Sequence, residues 1–275
     1  MKFEDLERRE LSRGALRLSY VDALRGRVPV VLQHGLCGSA LQTADAFPDD
    51  PALRLMTLEC RGHGASPLGA PEHLSIATFA DDLIALIESS RLAPVILGGI
   101  SMGAAIALRI AVRRPELVRA LLLVRPAWVT DAAPENMQPN AEVGELLSRH
   151  APEHARALFE QGATARQLAT EAPDNLASLR GFFARQPQSA TAELLIRISA
   201  DGPGVSADEV RALAVPALVI GSQADAIHPL AHARSLAALL KHAEFVEITP
   251  KSVSREAYLR DMHAALATFI HEVST

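Results

Sequence analysis

The residue with the clearest chemical potential in this chain is Ser101, set in Gly99-Ile100-Ser101-Met102-Gly103, a G-x-S-x-G pattern. Its flanks fit what the pattern demands. Ala93-Pro94-Val95-Ile96-Leu97 before it is a short apolar run of strand character, and Ala104 to Val112 after it is small and helix-forming. A serine between strand and helix is pressed into a tight backbone turn, so small residues must stand two before and two after it. Such a turn lifts the hydroxyl above the end of the strand and directs the helix N-terminus toward it. The pentapeptide alone arises by chance in glycine- and alanine-rich chains, where it is only a packing turn. With this strand and helix around it, Ser101 reads as an acyl-transfer nucleophile.

A nucleophilic serine needs donors for the oxyanion that develops on its substrate and a base to take its proton. Val28-Pro29-Val30-Val31-Leu32-Gln33-His34-Gly35-Leu36 is a buried strand running into His-Gly. Gly35 permits a sharp turn that frees the backbone N–H of Leu36. The N–H of Met102, opening the helix after Ser101, is the second candidate donor. Two such amides together contribute several kcal/mol, at roughly 3 kcal/mol per donor in a dry site. A histidine before a turning glycine is better suited to brace the loop than to act as base, and Cys37 reads as a small packing residue.

Elements able to position these groups recur along the chain. Strand-like runs lie near Arg8–Leu11, Leu16–Tyr20, Val28–Gln33, Arg54–Leu58, Val95–Ile100, Ala120–Val124, Pro216–Ile220 and Glu244–Ile248. Helical patterns fall between the later ones, near Ile76–Ser90, Met102–Arg113, Leu230–Lys241 and Arg255–His271. This alternation predicts an α/β fold with a mostly parallel sheet flanked by helices. It breaks after Arg125. From there to about Val215 no strand is visible, and Ala141–His150, Pro152–Gln161, Ala163–Glu171, Asn175–Gln186 and Ala190–Ala200 read as short helices. The expected organisation is a core of residues 1–125 and 216–275 and a helical lid of residues 126–215, inserted after the sixth strand. Trp128, Phe159, Phe182 and Phe183 are either walls of a cavity under that lid or the lid's own core.

Ser101 in its turn, the strand ending His34-Gly35, and the loop Arg61-Gly62-His63-Gly64-Ala65-Ser66 together resemble the α/β-hydrolase superfamily, in its lidded esterase, lactonase and carbon–carbon hydrolase branch. The resemblance covers nearly the whole chain in order. It implies an eight-stranded sheet, no cofactor, and His63 as a structural brace. It also implies the order serine, acid, histidine. The strand Pro216-Ala217-Leu218-Val219-Ile220-Gly221, followed by Asp225-Ala226-Ile227-His228-Pro229, makes Asp225 the acid. The histidine should follow the last strand, but Thr249-Pro250-Lys251-Ser252-Val253-Ser254-Arg255-Glu256-Ala257-Tyr258 contains none. His263 on the final helix and His228 beside Asp225 are the possible bases, with His228 expected to face outward. Lys251 or Tyr258 could stand in, or the machinery could have decayed.

A formal charge of −5 gives no electrostatic reason to bind nucleic acid or an anionic membrane, and 49% hydrophobic residues suffice for a large core. The N-terminal ten residues mix both charge signs with no apolar signal core after them. The most apolar run, Leu92 to Leu108, is broken by Pro94, glycines and Ser101. Two cysteines, Cys37 and Cys60, fit a reducing compartment, so the expected location is cytoplasmic. No metal site is expected, since His150 and His154 lack a third ligand. The expected activity is a serine hydrolase acting on a small ester, lactone or similarly activated carbonyl compound, moderately hydrophobic to match an apolar lid. The alternative is a catalytically altered protein of the same fold that binds a small ligand or promotes a non-hydrolytic rearrangement. A nucleotide site on Gly98, Gly99 and Gly103 lacks both the fingerprint spacing and a following lysine.

Overall fold

Apolar runs without polar alternation suit strands buried on both faces, and the central strands lie on just such runs. The computed structural model describes residues 1–274. In chain order the elements are β1 (Glu7–Arg13), β2 (Leu16–Asp22), β3 (Val28–Gln33), α1 (Ala40–Ala46), β4 (Leu53–Leu58), α2 (Ile76–Ser90), β5 (Val95–Ile100), α3 (Met102–Arg113) and β6 (Val118–Val124). An all-helical stretch follows: α4 (Gln138–Arg149), α5 (Pro152–Gln161), α6 (Ala163–Glu171), α7 (Pro173–Phe182), α8 (Gln188–Ser199) and α9 (Ala207–Arg211). The chain then closes with β7 (Ala217–Gly221), α10 (Leu230–Leu239), β8 (Ala243–Glu247) and α11 (Arg255–Glu272).

The eight strands form one sheet in the order β1-β2-β4-β3-β5-β6-β7-β8. β1 pairs antiparallel with β2, β2 antiparallel with β4, and every other neighbour is parallel. All eight strands read from the sequence are present. One face carries α2, α3 and α10, through residues such as Leu83, Ile106 and Leu236. The other is covered by α11, through Met262, Leu266 and Phe269, beside Phe47. Burial of these apolar stripes on both sides drives the layering, at about 25 cal/mol for each Å² removed from water. Because β3, β5, β6 and β7 run parallel, the loops at their C-terminal ends meet at one edge of the sheet. That edge is where α/β folds place their ligands.

The helical stretch between β6 and β7 has a small core of its own, with Val143, Leu147, Phe159, Leu168, Leu176 and Leu195 buried in it. Phe159 and Phe183 pack there with ring centroids 5.7 Å apart and planes tilted by 45°. Trp128 is buried at the base of the stretch, where its indole N–H donates to the Asp201 carbonyl at 2.8 Å. Only Phe182 of the four aromatics faces the cavity described below. Leu36, Cys37 and Ala226 pack against the same helical cluster, so the insert rests on the loops after β3 and β7. The helices α1 and α9 are not among the elements expected from the sequence. Each spans under two turns, too short for a helical period to stand out, although their serine caps, Ser39 and Ser206 (the latter in a capping box with Glu209), were available signals. Among the described residues no helix is long and apolar enough to cross a membrane.

Where β5 turns into α3, the backbones of three segments nearly touch. A Cβ placed on Gly99 would lie 2.0 Å from the Gly103 carbonyl carbon, and one on Gly103 would lie 2.2 Å from the Gln33 carbonyl oxygen. Gly103→Ala must therefore push β3 and α3 apart. The expected loss is roughly 2–4 kcal/mol of unfolding free energy in urea; a loss below about 1 kcal/mol would mean that this contact yields freely and does not set the turn.

Candidate active site

Ser101 sits at the turn with φ 57° and ψ −112°, a left-handed conformation unusual for a residue with a side chain. Strain of this kind costs on the order of 1–3 kcal/mol and persists only where the surroundings impose it. Here the Ser101 N–H is held by the Val124 carbonyl at 2.9 Å, which locks the turn to the end of β6. The hydroxyl points away from the sheet, to the imidazole of His228. His228 Nε2 lies 2.8 Å from Ser101 Oγ, and its Nδ1 lies 2.9 Å from Asp225 Oδ1. With Nδ1–H donated to the carboxylate, Nε2 carries the lone pair and can accept the serine proton.

His228 thus faces inward, against the sequence-based expectation. The reason is local. The His228 backbone N–H donates to Asp225 Oδ1 at 3.0 Å, which folds the three-residue step back on itself and sets ring and carboxylate side by side. His263, the other candidate base, is corrected by the structure. It lies half-buried on α11 with Nε2 2.8 Å from the Asp45 carbonyl, and it makes no contact with Ser101. Lys251 and Tyr258 line a different cavity, shared with Asp45 and Arg255, and do not line the one that holds Ser101.

Asp225 is the most heavily engaged group. Besides His228, its Oδ1 accepts from Asn175 Nδ2 at 2.9 Å, and its Oδ2 accepts from Arg125 Nε at 2.8 Å and from Arg125 Nη2. Burial works to raise its pKa, but the charges of His228 and Arg125 and their hydrogen bonds outweigh this and hold the carboxyl well below its usual range. Burial also lowers the pKa of His228. Asp225 opposes that effect and Arg125 adds to it, so the ring rests below the ordinary histidine value and neutral near pH 7. Arg125 Nη2 stands 3.0 Å from His228 Nδ1, where it acts through its charge.

Sequence reasoning missed both Arg125 and Asn175. Arg125 directly follows the apolar β6, and a charge at the C-terminal end of a parallel strand was an available signal. Asn175 had none. It comes from the first turn of α7, donates to Asp225, and accepts the Ala226 N–H on its Oδ1 at 2.7 Å. Only the folding of the insert over the core brings it there.

The candidate oxyanion donors are placed by the same turns. Leu36 lines the cavity around Ser101, and Met102 opens α3 directly after it. Among the described residues neither backbone N–H has an acceptor. The loop carrying Leu36 is braced from behind by two histidines. His34 Nε2 accepts from the Cys60 N–H at 3.1 Å, and its Nδ1 donates to the Gly35 carbonyl. His63 Nε2 accepts from the Cys37 N–H at 2.9 Å, and its Nδ1 donates to the Arg61 carbonyl. The two rings stand 4.8 Å apart. The cavity encloses about 250 Å³, with Leu36 and Ser101 on the core side and Met137, Asn140, Leu179 and Phe182 contributed by the insert. Among the described residues no group of three or more His, Cys, Asp or Glu could hold a metal ion.

The family model for the alpha/beta hydrolase fold matches residues 28–251. The chain belongs to the α/β-hydrolase family. This member is 29% identical over 226 residues to a protein of Rhizobium rhizogenes designated a carbamate hydrolase, RutD, a match covering 78% of this chain and 81% of that protein. It is 31% identical over 122 residues to the mouse sn-1-specific diacylglycerol lipase ABHD11, but that match takes in only 43% of this chain and 37% of the lipase. Among solved structures, a thermophilic esterase from Thermogutta terrifontis shares the fold with a TM-score of 0.74 at 23% identity, covering 98% of this hydrolase and 100% of the esterase chain.

The bracing histidines make the stability of this α/β hydrolase sensitive to acid. Burial lowers the His34 pKa from 6.5 to about 4, with the Gly35 hydrogen bond opposing it, and burial drives His63 well below its ordinary value. Below pH 6.5 the unfolded chain takes up protons that the folded chain refuses, so stability falls as pH drops toward 4. His34 alone accounts for on the order of 3 kcal/mol across that window. Urea unfolding at pH 7 and pH 4.5 measures it; equal stabilities at the two would contradict buried neutral rings.

Proposed function

We propose that this protein is a serine hydrolase that cleaves a small ester, lactone or similarly activated carbonyl compound. The observation that carries this reading is the continuous hydrogen-bonded run Ser101 Oγ, His228 Nε2, His228 Nδ1, Asp225 Oδ1, with steps of 2.8 and 2.9 Å. Ser101 Oγ attacks the carbonyl carbon as its proton passes to His228 Nε2. The carbonyl oxygen, now anionic, is held by the N–H groups of Leu36 and Met102. Collapse expels the alcohol, which takes the proton back from His228. Water then repeats the sequence on the acyl-enzyme, with His228 again as base and acid. Asp225 orients the ring and balances its charge when it becomes imidazolium.

Residues 126–215 serve as a lid in this reading. Their helices wall the cavity and limit water around the acyl-enzyme, which strengthens every electrostatic contact inside. The reading takes further support from a relative named for carbamate hydrolysis and another named as a lipase, since both reactions are acyl transfers to water. The alternative, a catalytically altered protein of the same fold that binds a small ligand or promotes a non-hydrolytic rearrangement, draws on the lack of a histidine in the last loop. His228 meets that need from another loop, and no separate observation favours the alternative.

The test is labelling with a fluorophosphonate probe alongside turnover of short-chain esters. Ser101→Ala should abolish labelling, and His228→Asn should lower kcat by at least about 10³-fold. His263→Asn should leave kcat within about twofold, as expected of a surface change. A His228→Asn enzyme with unimpaired kcat, or a probe adduct on a residue other than Ser101, would sink the assignment.

A further inference from the structure

The wall of the catalytic cavity is more polar than an apolar lid would make it. Gln42, Asn140, Asn175 and Ser178 stand among the lining residues, beside Leu36 and Phe182. Most of these polar groups are already engaged within the protein. Asn175 is spent on the Asp225 loop, Gln42 Oε1 accepts the Gly35 N–H at 2.7 Å, and Ser178 Oγ donates to the Asp174 carbonyl at 2.9 Å. Asn140 differs. It is only 5% exposed, and its sole hydrogen bond runs from Nδ2 to the Met137 thioether at 3.7 Å, a long contact to a weak acceptor. A buried carboxamide can donate two hydrogen bonds and accept two, and native proteins seldom leave such capacity idle. This one is left idle on the wall of the same cavity of about 250 Å³ that Ser101 lines.

We propose that Asn140 is a substrate-recognition residue, and that the substrate is a short polar acyl compound bearing a hydroxyl or amide group a few atoms from the reacting carbonyl. The inference rests on the serine-hydrolase reading and narrows its substrate class. Long acyl chains are disfavoured by the cavity's volume, and purely hydrocarbon ones by the cost of covering an unpaired amide. The amide group of the side chain accepts a substrate O–H or N–H and donates in return, so it recognises either kind of partner. A site built around a hydrogen bond discriminates strongly against an analogue that lacks it.

Two matched pairs of esters test the assignment on either side of the carbonyl: ethyl lactate against ethyl isobutyrate, and 2-hydroxyethyl acetate against propyl acetate. Each kcat/KM is normalised to the ester's own rate of hydroxide hydrolysis, which removes intrinsic reactivity. The expected result is a preference of about thirtyfold or more for the hydroxyl-bearing ester in at least one pair. Asn140→Leu should bring that ratio close to one while preserving or raising turnover of the apolar partner, and Asn140→Ser should restore part of the preference. Equal turnover of both members of each pair by the unaltered protein would overturn the assignment. So would an Asn140→Leu variant in which both esters lose rate together, the mark of a merely structural role. Fluorophosphonate labelling of Ser101 separates the two levels: labelling without discrimination removes only the role of Asn140, whereas no labelling and no turnover removes the hydrolase reading with it.

Discussion

The carboxylate of Asp225 is where the site converges. It accepts hydrogen bonds from its own loop through His228, from the end of β6 through Arg125, and from the helical insert through Asn175. Three elements far apart in the chain are thereby tied to one buried charge. A carboxylate so deeply buried is tolerable only because it is paired and fully hydrogen-bonded. Removing any one donor leaves that charge undersatisfied, so the fixed position of His228, and through it of Ser101, depends on all of them.

Asp225 and His228 lie three residues apart on one loop, an arrangement with an electrostatic consequence. Burial keeps the His228 ring unprotonated, and Arg125, which neutralises Asp225 at rest, adds to this with its positive charge. In the proposed mechanism, the imidazolium formed when the serine proton arrives is stabilised by Asp225 and by the oxyanion forming on the substrate, and it is opposed by Arg125. The proton is therefore held well only while the oxyanion exists. This is the differential stabilisation that speeds a reaction instead of merely binding its reactant. On the helix after the last loop, the Tyr258 hydroxyl lies 3.3 Å from Arg125 Nη1.

The insert is more than a cover. Its Asn175 spans Asp225 and the Ala226 amide, and its apolar core rests on Leu36 and Cys37. Both the acid loop and the candidate oxyanion loop therefore sense where the insert sits. The oxyanion loop is braced from the opposite side by His34 and His63, which are held neutral by burial. Pressed between a hydrogen-bonded brace and an apolar cap, the Leu36 backbone has little freedom to move, which is what preorganisation of an anion site requires.

Local sequence was enough to locate all eight strands, the five larger helices of the insert, and the turn at Ser101. Each is fixed by short-range rules: buried apolar runs, proline and glycine punctuation, and small residues where backbones must nearly touch. Asp225 was legible for the same reason, as a loop aspartate after a buried strand. Tertiary structure alone decided the rest. Whether His228 turned inward depended on a hydrogen bond between its own backbone and Asp225. The roles of Arg125, Asn175 and Asn140 depended on which side chains the closed fold sets around one cavity. Periodicity reveals which face of an element is buried, but a lone polar residue carries no sign of what it will meet across the chain. That depends on contacts between distant segments, and those exist only once the chain has folded.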